Sequence, residues 1–202
     1  VRLVKGAYWD TEIKRAQILG LQSFPVFTRK ACCDVSYIAC AKKLLNMRDR
    51  IYPQFATHNA HSVSAILELA GGTSGYEFQR LHGMGESLHE AVKSESGTRC
   101  RIYAPVGKHR DLLSYLVRRL LENGANSSFV NQIVDTRIAP VDIAQDPFTL
   151  IASLGEAVAS KLITPPSRLF GEYRRNAKGW DITDVSQLEH IESARQKWKQ
   201  HQ

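Results

Sequence analysis

The chain has 202 residues, 43% of them hydrophobic, which is enough for a core and excludes wholesale disorder. No apolar run is long enough to cross a bilayer and no signal peptide opens the chain. The four cysteines (Cys32, Cys33, Cys40, Cys100) lack paired metal-ligand spacing, so free thiols in a reducing cytosol are expected. A net charge of +7 favours an anionic partner, but the basic residues are scattered, so nucleic acid is only weakly implied.

Val1 to Tyr8 has a strand pattern and starts abruptly inside it, as expected of a piece of a longer chain. Asp10 is expected to cap a helix running to Leu19 and stopped by Gly20. Phe24 to Lys30 reads as extended, and a helix follows from Asp34 to Met47. Tyr52 to Asn59 is the next strand, and the helix from Ser62 to Ala70 ends at Gly71-Gly72. Tyr76 to His82 is a third strand, leading through Gly83-Met-Gly85 into a short helix. Cys100 to Val106 is a fourth.

The helix after it contains Tyr115-Leu-Val-Arg-Arg-Leu-Leu-Glu-Asn-Gly124, with Leu112, Leu113, Leu116, Leu120 and Leu121 at helical spacing. Successive residues on a helix point about 100° apart, so Arg118 and Arg119 cannot share a narrow solvated stripe. They form either a wide basic face or a clamp for a small carboxylate or phosphate. Beyond Asn126 the character changes. Residues 127–147 read as irregular, with Asp142 and Asp146-Pro147 as turn or cap signals; 148–162 as helix, broken at Pro165-Pro166; 167–185 as loop; and Ser186 onward as a polar helix.

Strand–helix alternation at this spacing predicts βαβ units and a parallel sheet, with ligands at the C-terminal strand ends. Those ends are Lys5-Gly6, Thr57-His58-Asn59, His82-Gly83 and Pro105-Val106-Gly107. No Gly-x-Gly-x-x-Gly follows a strand, so a Rossmann site is not expected. The fold class expected is α/β: the C-terminal half of a distorted (β/α)8 barrel, then a mostly helical or irregular linker. His58, His61 and His82 could serve a metal-dependent barrel hydrolase, but the last strand end carries no carboxylate, and no metal is expected. His61 reads instead as a helix-start residue and His82 as a buried hydrogen-bonding one. Cys32 and Cys33 read as core packing. Arg2, inside a parallel barrel, demands an anion, a cofactor or a carboxylate partner.

Five stretches carry a resemblance. They are Arg2-Leu-Val-Lys-Gly-Ala-Tyr-Trp-Asp10, Tyr52-Pro-Gln-Phe-Ala-Thr-His-Asn-Ala-His61, Glu77-Phe-Gln-Arg-Leu-His-Gly-Met-Gly85, Arg101-Ile-Tyr-Ala-Pro-Val-Gly107 and Tyr115 to Asn126. Together they closely resemble the proline dehydrogenase family, as found in bacterial bifunctional proline utilization enzymes. The resemblance implies residues 1–135 as the C-terminal part of an FAD-dependent barrel and 136–202 as a linker toward an aldehyde dehydrogenase domain absent here. It implies oxidation of L-proline to Δ1-pyrroline-5-carboxylate with noncovalent FAD and a membrane quinone as acceptor. The parent would be cytoplasmic, peripheral to the inner membrane and a homo-oligomer, and would meet nucleic acid only through another domain. Carried over by motif, Arg2 approaches the flavin ring, and Val4, Lys5, Gly6 and Ala7 lie along the cofactor. Thr28 and Lys30 meet its phosphate and adenosine end, with Thr57, His58 and Asn59 nearby. Leu81 and Tyr103 wall the proline ring, Arg118 and Arg119 bind its carboxylate, and Glu122 helps hold an arginine. Arg2, Tyr103, Arg118 and Arg119 form the catalytic set; Arg80 is given no role. The isolated chain is expected to be inactive, and an inert fragment is the remaining alternative.

Overall fold

Phe55 and Phe78 sit opposite each other on adjacent strands, both fully buried, and the fold is organised around them. The computed structural model describes residues 1–6, 8–124, 132 and 135–201, apart from the side chains of 122–124, 200 and 201. Strands β1 (Arg2–Val4), β2 (Gln54–Ala56), β3 (Glu77–Leu81) and β4 (Cys100–Tyr103) form one parallel sheet in sequential order. Parallel neighbours need a crossover, and helices supply it: α2 (Lys30–Leu45), α3 (Ala60–Ala70) and α4 (Glu86–Ser96), with α5 (His109–Gly124) after β4. Leu3, Phe55, Phe78 and Cys100 are in register across the sheet and point to the helix layer. There they meet Tyr37, Ala41 and Leu45 of α2, Val63, Ile66 and Ala70 of α3, and Tyr76. Tyr76 stands edge-on to both phenylalanines, with ring centres 5.8 and 5.7 Å away. Truncating either phenylalanine to alanine would cost about 3–5 kcal/mol.

The chain packs as two units. The first comprises Val1–Ala7 and Arg29–Val158; the second comprises Tyr8–Thr28 and Ala159–Gln202. Within the first, α6 (Pro140–Ile143) and α7 (Pro147–Ser153) follow the barrel helices, and α7 lies against α2. Within the second, α1 (Trp9–Leu19) buries Ile13, Ala16 and Gln17. The Gln17 side-chain amide donates to the Thr164 carbonyl at 2.7 Å, and the Asn176 amide donates to the Gln17 carbonyl at 2.8 Å. Gly179 N–H donates to Gly20 O at 2.8 Å, and the Trp180 ring stacks on His190. The stretch read as loop is thus fastened along α1 by the Asn176 side chain and the Gly179 backbone before α8 (Val185–Arg195).

Several expected boundaries move, each for a local reason. Helix α1 begins at Trp9 with Tyr8 at its cap, so Asp10 lies in the first turn, facing the helix's positive end. Residues 24–29 form bends rather than a strand, and α2 starts at Lys30 without a side-chain cap. Asn59 caps α3, its side-chain oxygen accepting from Ser62 N–H at 3.0 Å, an interaction worth about 1 kcal/mol. Asp146 caps α7 through the amides of Phe148 and Thr149, but that helix ends at Ser153 and does not continue to 162. The stop is Gly155, whose positive φ of 56° leaves the right-handed path well before Pro165-Pro166.

Candidate active site at the strand ends

On the face of the sheet away from the helices, alternation places Arg2 and Val4, Gln54 and Ala56, Glu77, Gln79 and Leu81, and Arg101 and Tyr103. The lower part of this face is one polar network centred on buried Glu77. Arg101 grips its carboxylate with two hydrogen bonds, at 2.5 and 3.1 Å. The side-chain amides of Gln54 and Gln79 donate to the same carboxylate at 2.8 and 3.3 Å. The Arg101 hydrogen bonds hold the Glu77 carboxyl below the usual carboxylate range, aided by Gln79 and Gln54. Above this floor the Arg2 guanidinium lies 4.5 Å from the centre of the Tyr103 ring, so Arg2 has an aromatic partner. Tyr103 is half-buried, and in register with it stands buried Leu81.

At the end of β1 the Lys5 side chain turns to the helix layer. Its ammonium donates to Asp34 Oδ1 at 2.5 Å and to Ser62 Oγ at 2.8 Å. Burial lowers the Lys5 pKa against the pull of Asp34. Burial alone would raise Asp34, but Lys5 and Lys30 together bring its carboxyl below the ordinary value. Val4 is exposed, and open space lies where a Cβ would stand on Gly6, so a bound group can come close to this backbone. Lys30 donates to the other Asp34 oxygen at 2.7 Å. It lines a cleft of about 270 Å³ together with Asn59, His61, Ser62, Asp142 and Gln145.

After β2, Thr57 is buried and its hydroxyl accepts from Asn59 N–H at 3.2 Å. His58 Nε2 accepts from Leu81 N–H at 3.2 Å, which places the proton of the neutral ring on Nδ1. Burial lowers the His58 pKa to about 4, with further contributions from His89, Arg119 and Arg80. Gly85, at a φ of 62°, passes so close that a Cβ there would stand 2.9 Å from the His58 ring. Arg80 also finds a place here: nearly buried, it donates to Glu86 at 3.1 Å and ties the end of β3 to the start of α4.

Helix α5 is turned contrary to a solvated basic face. Arg118 and Arg119 are half-buried, while Leu113, Leu116, Val117, Leu120 and Leu121 are exposed. The Arg119 guanidinium lies 5.3 Å from the Tyr115 ring and is near enough to His58 to depress its pKa. Arg119 therefore lies by the His58 strand end, with half-buried Arg118 next to it in sequence.

The other expected residues fall elsewhere. Thr28 belongs to the second unit, where its hydroxyl accepts from Ser160 N–H at 2.9 Å. Ala7 and the side chain of Glu122 lie outside the described residues. His82 is exposed rather than buried, and among the described residues no three His, Cys, Asp or Glu side chains converge as metal ligands. Cys32 is buried, while Cys33 is half-buried and its thiol is pushed up by burial. Sequence reasoning missed Asp34, Ser62 and the Glu77 network. Glu77 and Gln79 alternating with buried Phe78 was the available signal, since a polar face on a central strand needs partners.

Known proteins share this fold. The family described as proline dehydrogenase matches residues 1–132. The bifunctional protein PutA of Escherichia coli (strain K12) is 51% identical, with the match covering 98% of this chain and 16% of that protein. A crystal structure of the D779W mutant of Bradyrhizobium japonicum proline utilization A superposes with a TM-score of 0.88 at 56% identity, over 96% of this chain and 20% of that one. Proline utilization A from Bdellovibrio bacteriovorus inactivated by N-propargylglycine superposes at 0.69 and 40% identity, over 74% of this chain and 16% of that one. The chain thus spans about a sixth of the length of the curated PutA proteins it matches. Its sheet, with the helices that connect the strands, is a fragment of a distorted (β/α)8-type barrel. With most of the sequence matched in order and on the same backbone, the chain belongs to the proline dehydrogenase family, in the form carried by bifunctional PutA proteins.

Proposed function

We propose that this chain supplies the C-terminal half of a barrel that binds FAD noncovalently and oxidises L-proline to Δ1-pyrroline-5-carboxylate. The observation that carries the reading is that Arg118 and Arg119 are half-buried, with Arg119 beside His58, at a sheet whose strand ends present Leu81 and Tyr103. A planar guanidinium pair suits one small carboxylate, and an apolar residue beside an aromatic ring suits a five-membered saturated ring. A relative inactivated by N-propargylglycine, an N-substituted amino acid, fits a site of this chemistry.

The residues present also fit the cofactor. Space in front of Gly6, the exposed Lys30 ammonium and the amide-rich starts of α2 and α3 suit an anionic dinucleotide. Arg2 and the Thr57–Asn59 turn would lie along it, and Lys30 would meet its phosphates. FAD when bound supplies the two-electron acceptor. The product carries its C=N bond between nitrogen and proline Cδ, so hydrogen leaves Cδ and the proton leaves nitrogen. What the chain contributes is orientation: carboxylate held by Arg118 and Arg119, ring held by Leu81 and Tyr103, and positive charge from Arg2 where negative charge arrives.

By the same reading, electrons pass to a quinone, and the parent is cytoplasmic, peripheral to the inner membrane and homo-oligomeric. Residues 136–202 lead toward its aldehyde dehydrogenase domain. The test is to purify the complete protein and this chain separately. The complete protein should be yellow and reduce a quinone analogue with L-proline. The isolated chain should do neither, because β1 and β4 are unpaired sheet edges. A colourless complete protein, inactive after FAD is added, would overturn the assignment.

A further inference from the structure

We infer that Asp34 and Ser62 are positioning residues that set the cofactor edge of the site, an inference that rests on the FAD reading above. A continuous chain of polar contacts carries it. Thr57 Oγ1 accepts from Asn59 N–H at 3.2 Å, and Asn59 Oδ1 accepts from Ser62 N–H at 3.0 Å. Ser62 Oγ then accepts from Lys5 at 2.8 Å, Lys5 donates to Asp34 Oδ1 at 2.5 Å, and Asp34 Oδ2 accepts from Lys30 at 2.7 Å. Three separate segments are joined this way: the end of β1, the turn between β2 and α3, and the start of α2. These are the segments whose backbone and side chains would touch the cofactor, yet Asp34 and Ser62 lie behind them.

The arrangement is more than a salt bridge. Lys5 extends away from the open side of Gly6 and is anchored in the helix layer, 5.1 Å from the Tyr37 ring centre. Its stem therefore fixes the direction of the Val4–Gly6 backbone. Asp34 is largely buried and shares its two oxygens between two lysines that would otherwise repel each other. Lys30 is left half-exposed at the cleft, its ammonium held in one place and still open to an anion. A contact shell whose supports are locked binds more tightly than one left to chance.

Charge and position predict opposite signs, and this makes the inference testable. Asp34→Asn removes a negative charge beside two lysines, so electrostatics alone would tighten an anionic cofactor. Loss of positioning would loosen it. In the complete protein, stripped of flavin and titrated with FAD, Asp34→Asn should raise the FAD dissociation constant about tenfold, the equivalent of one charge-assisted hydrogen bond. Ser62→Ala, which removes one bond and no charge, should raise it about threefold. Asp34→Glu, which keeps the carboxylate, should recover most of the loss, with apoprotein circular dichroism and melting close to wild type throughout. Unchanged or tighter FAD binding in both Asp34→Asn and Ser62→Ala overturns this inference alone. So does an Asp34→Asn defect that tracks a melted apoprotein while Ser62→Ala binds normally. Failure of the wild type to bind FAD overturns the underlying reading as well.

Discussion

Arg2 and Tyr103 stand on the two edge strands of the sheet, yet the guanidinium lies 4.5 Å from the ring centre. Three strand spacings separate those edges, about 14 Å along the sheet. Only a sheet curled toward barrel closure, with two long side chains reaching over its concave face, brings them together. The pair therefore spans the space above the Glu77 floor where substrate and flavin ring would meet. Tyr103→Phe keeps the aromatic face and should change proline KM by no more than about threefold, the scale of a modest hydroxyl contribution. Tyr103→Ala removes the face and should raise KM about tenfold or more. Equal effects from the two would place the function in the hydroxyl and not the ring.

The floor itself is a stability device. Glu77→Gln leaves the shape intact but weakens bonds from Arg101, Gln54 and Gln79, and should cost about 1–3 kcal/mol. The Arg101 end is exposed, so most of that cost arises at buried Gln79 and half-buried Gln54. The Glu77 pKa is depressed on folding, so its contribution is complete above the ordinary carboxylate pKa and disappears as pH falls through the folded value. Calorimetry of the complete protein should show Glu77→Gln lowering the barrel transition at neutral pH, with the difference shrinking in acid. A difference that persists unchanged in strong acid would contradict the ionised network.

His58 gives a second acid dependence in a different window. Its pKa falls from 6.5 to about 4 on folding, so between those values the unfolded chain binds a proton that the folded site refuses. Stability is therefore unaffected by this group above about pH 6.5 and decreases from there down to about pH 4, by at most a few kcal/mol. His89, also depressed by burial, adds to the same slope. Protonating His58 would remove the acceptor for Leu81 N–H, so the end of β3 should open first. Hydrogen exchange of the β3 peptide, corrected for intrinsic rates, should accelerate from pH 6.5 to 4.5 in the wild type and less so in His58→Gln. Gly85→Ala should mimic acid at neutral pH, because its Cβ would push into the imidazole. Uniform exchange across pH in the wild type would rule this out.

The parallel sheet, the strand–helix order and the glycine stops of α1 and α3 were legible because each rests on short-range pattern. The direction of α5 was not. Five exposed apolar side chains and two half-buried arginines invert the usual amphipathic rule, and only their neighbours explain it. Asp34 was hidden for a related reason. As a lone acid near the start of a helix it has an ordinary local role, and its partners Lys5 and Ser62 are 29 and 28 residues away, the second reached through Lys5. Arg80, given no role from the sequence, serves as a tie between β3 and α4.

The arginine pair gives the sharpest test of the proposed chemistry. Two residues about 100° apart on one helix can both face inward only if they approach a target from different directions. A solvated face would tolerate either change, and a general positive potential would accept lysine in place of arginine. A carboxylate clamp would not, because lysine cannot present two parallel N–H bonds. In the complete protein, Arg118→Lys and Arg119→Lys should each raise proline KM about tenfold, and the methionine variants about a hundredfold. Flavin absorbance should stay near wild type, since the lost contacts are to substrate. Arg119 also lies close to His58, so Arg119→Met should let the His58 pKa rise toward its ordinary value while Arg118→Met should not. Matching KM values for wild type and the lysine variants would remove the clamp and leave only a basic surface.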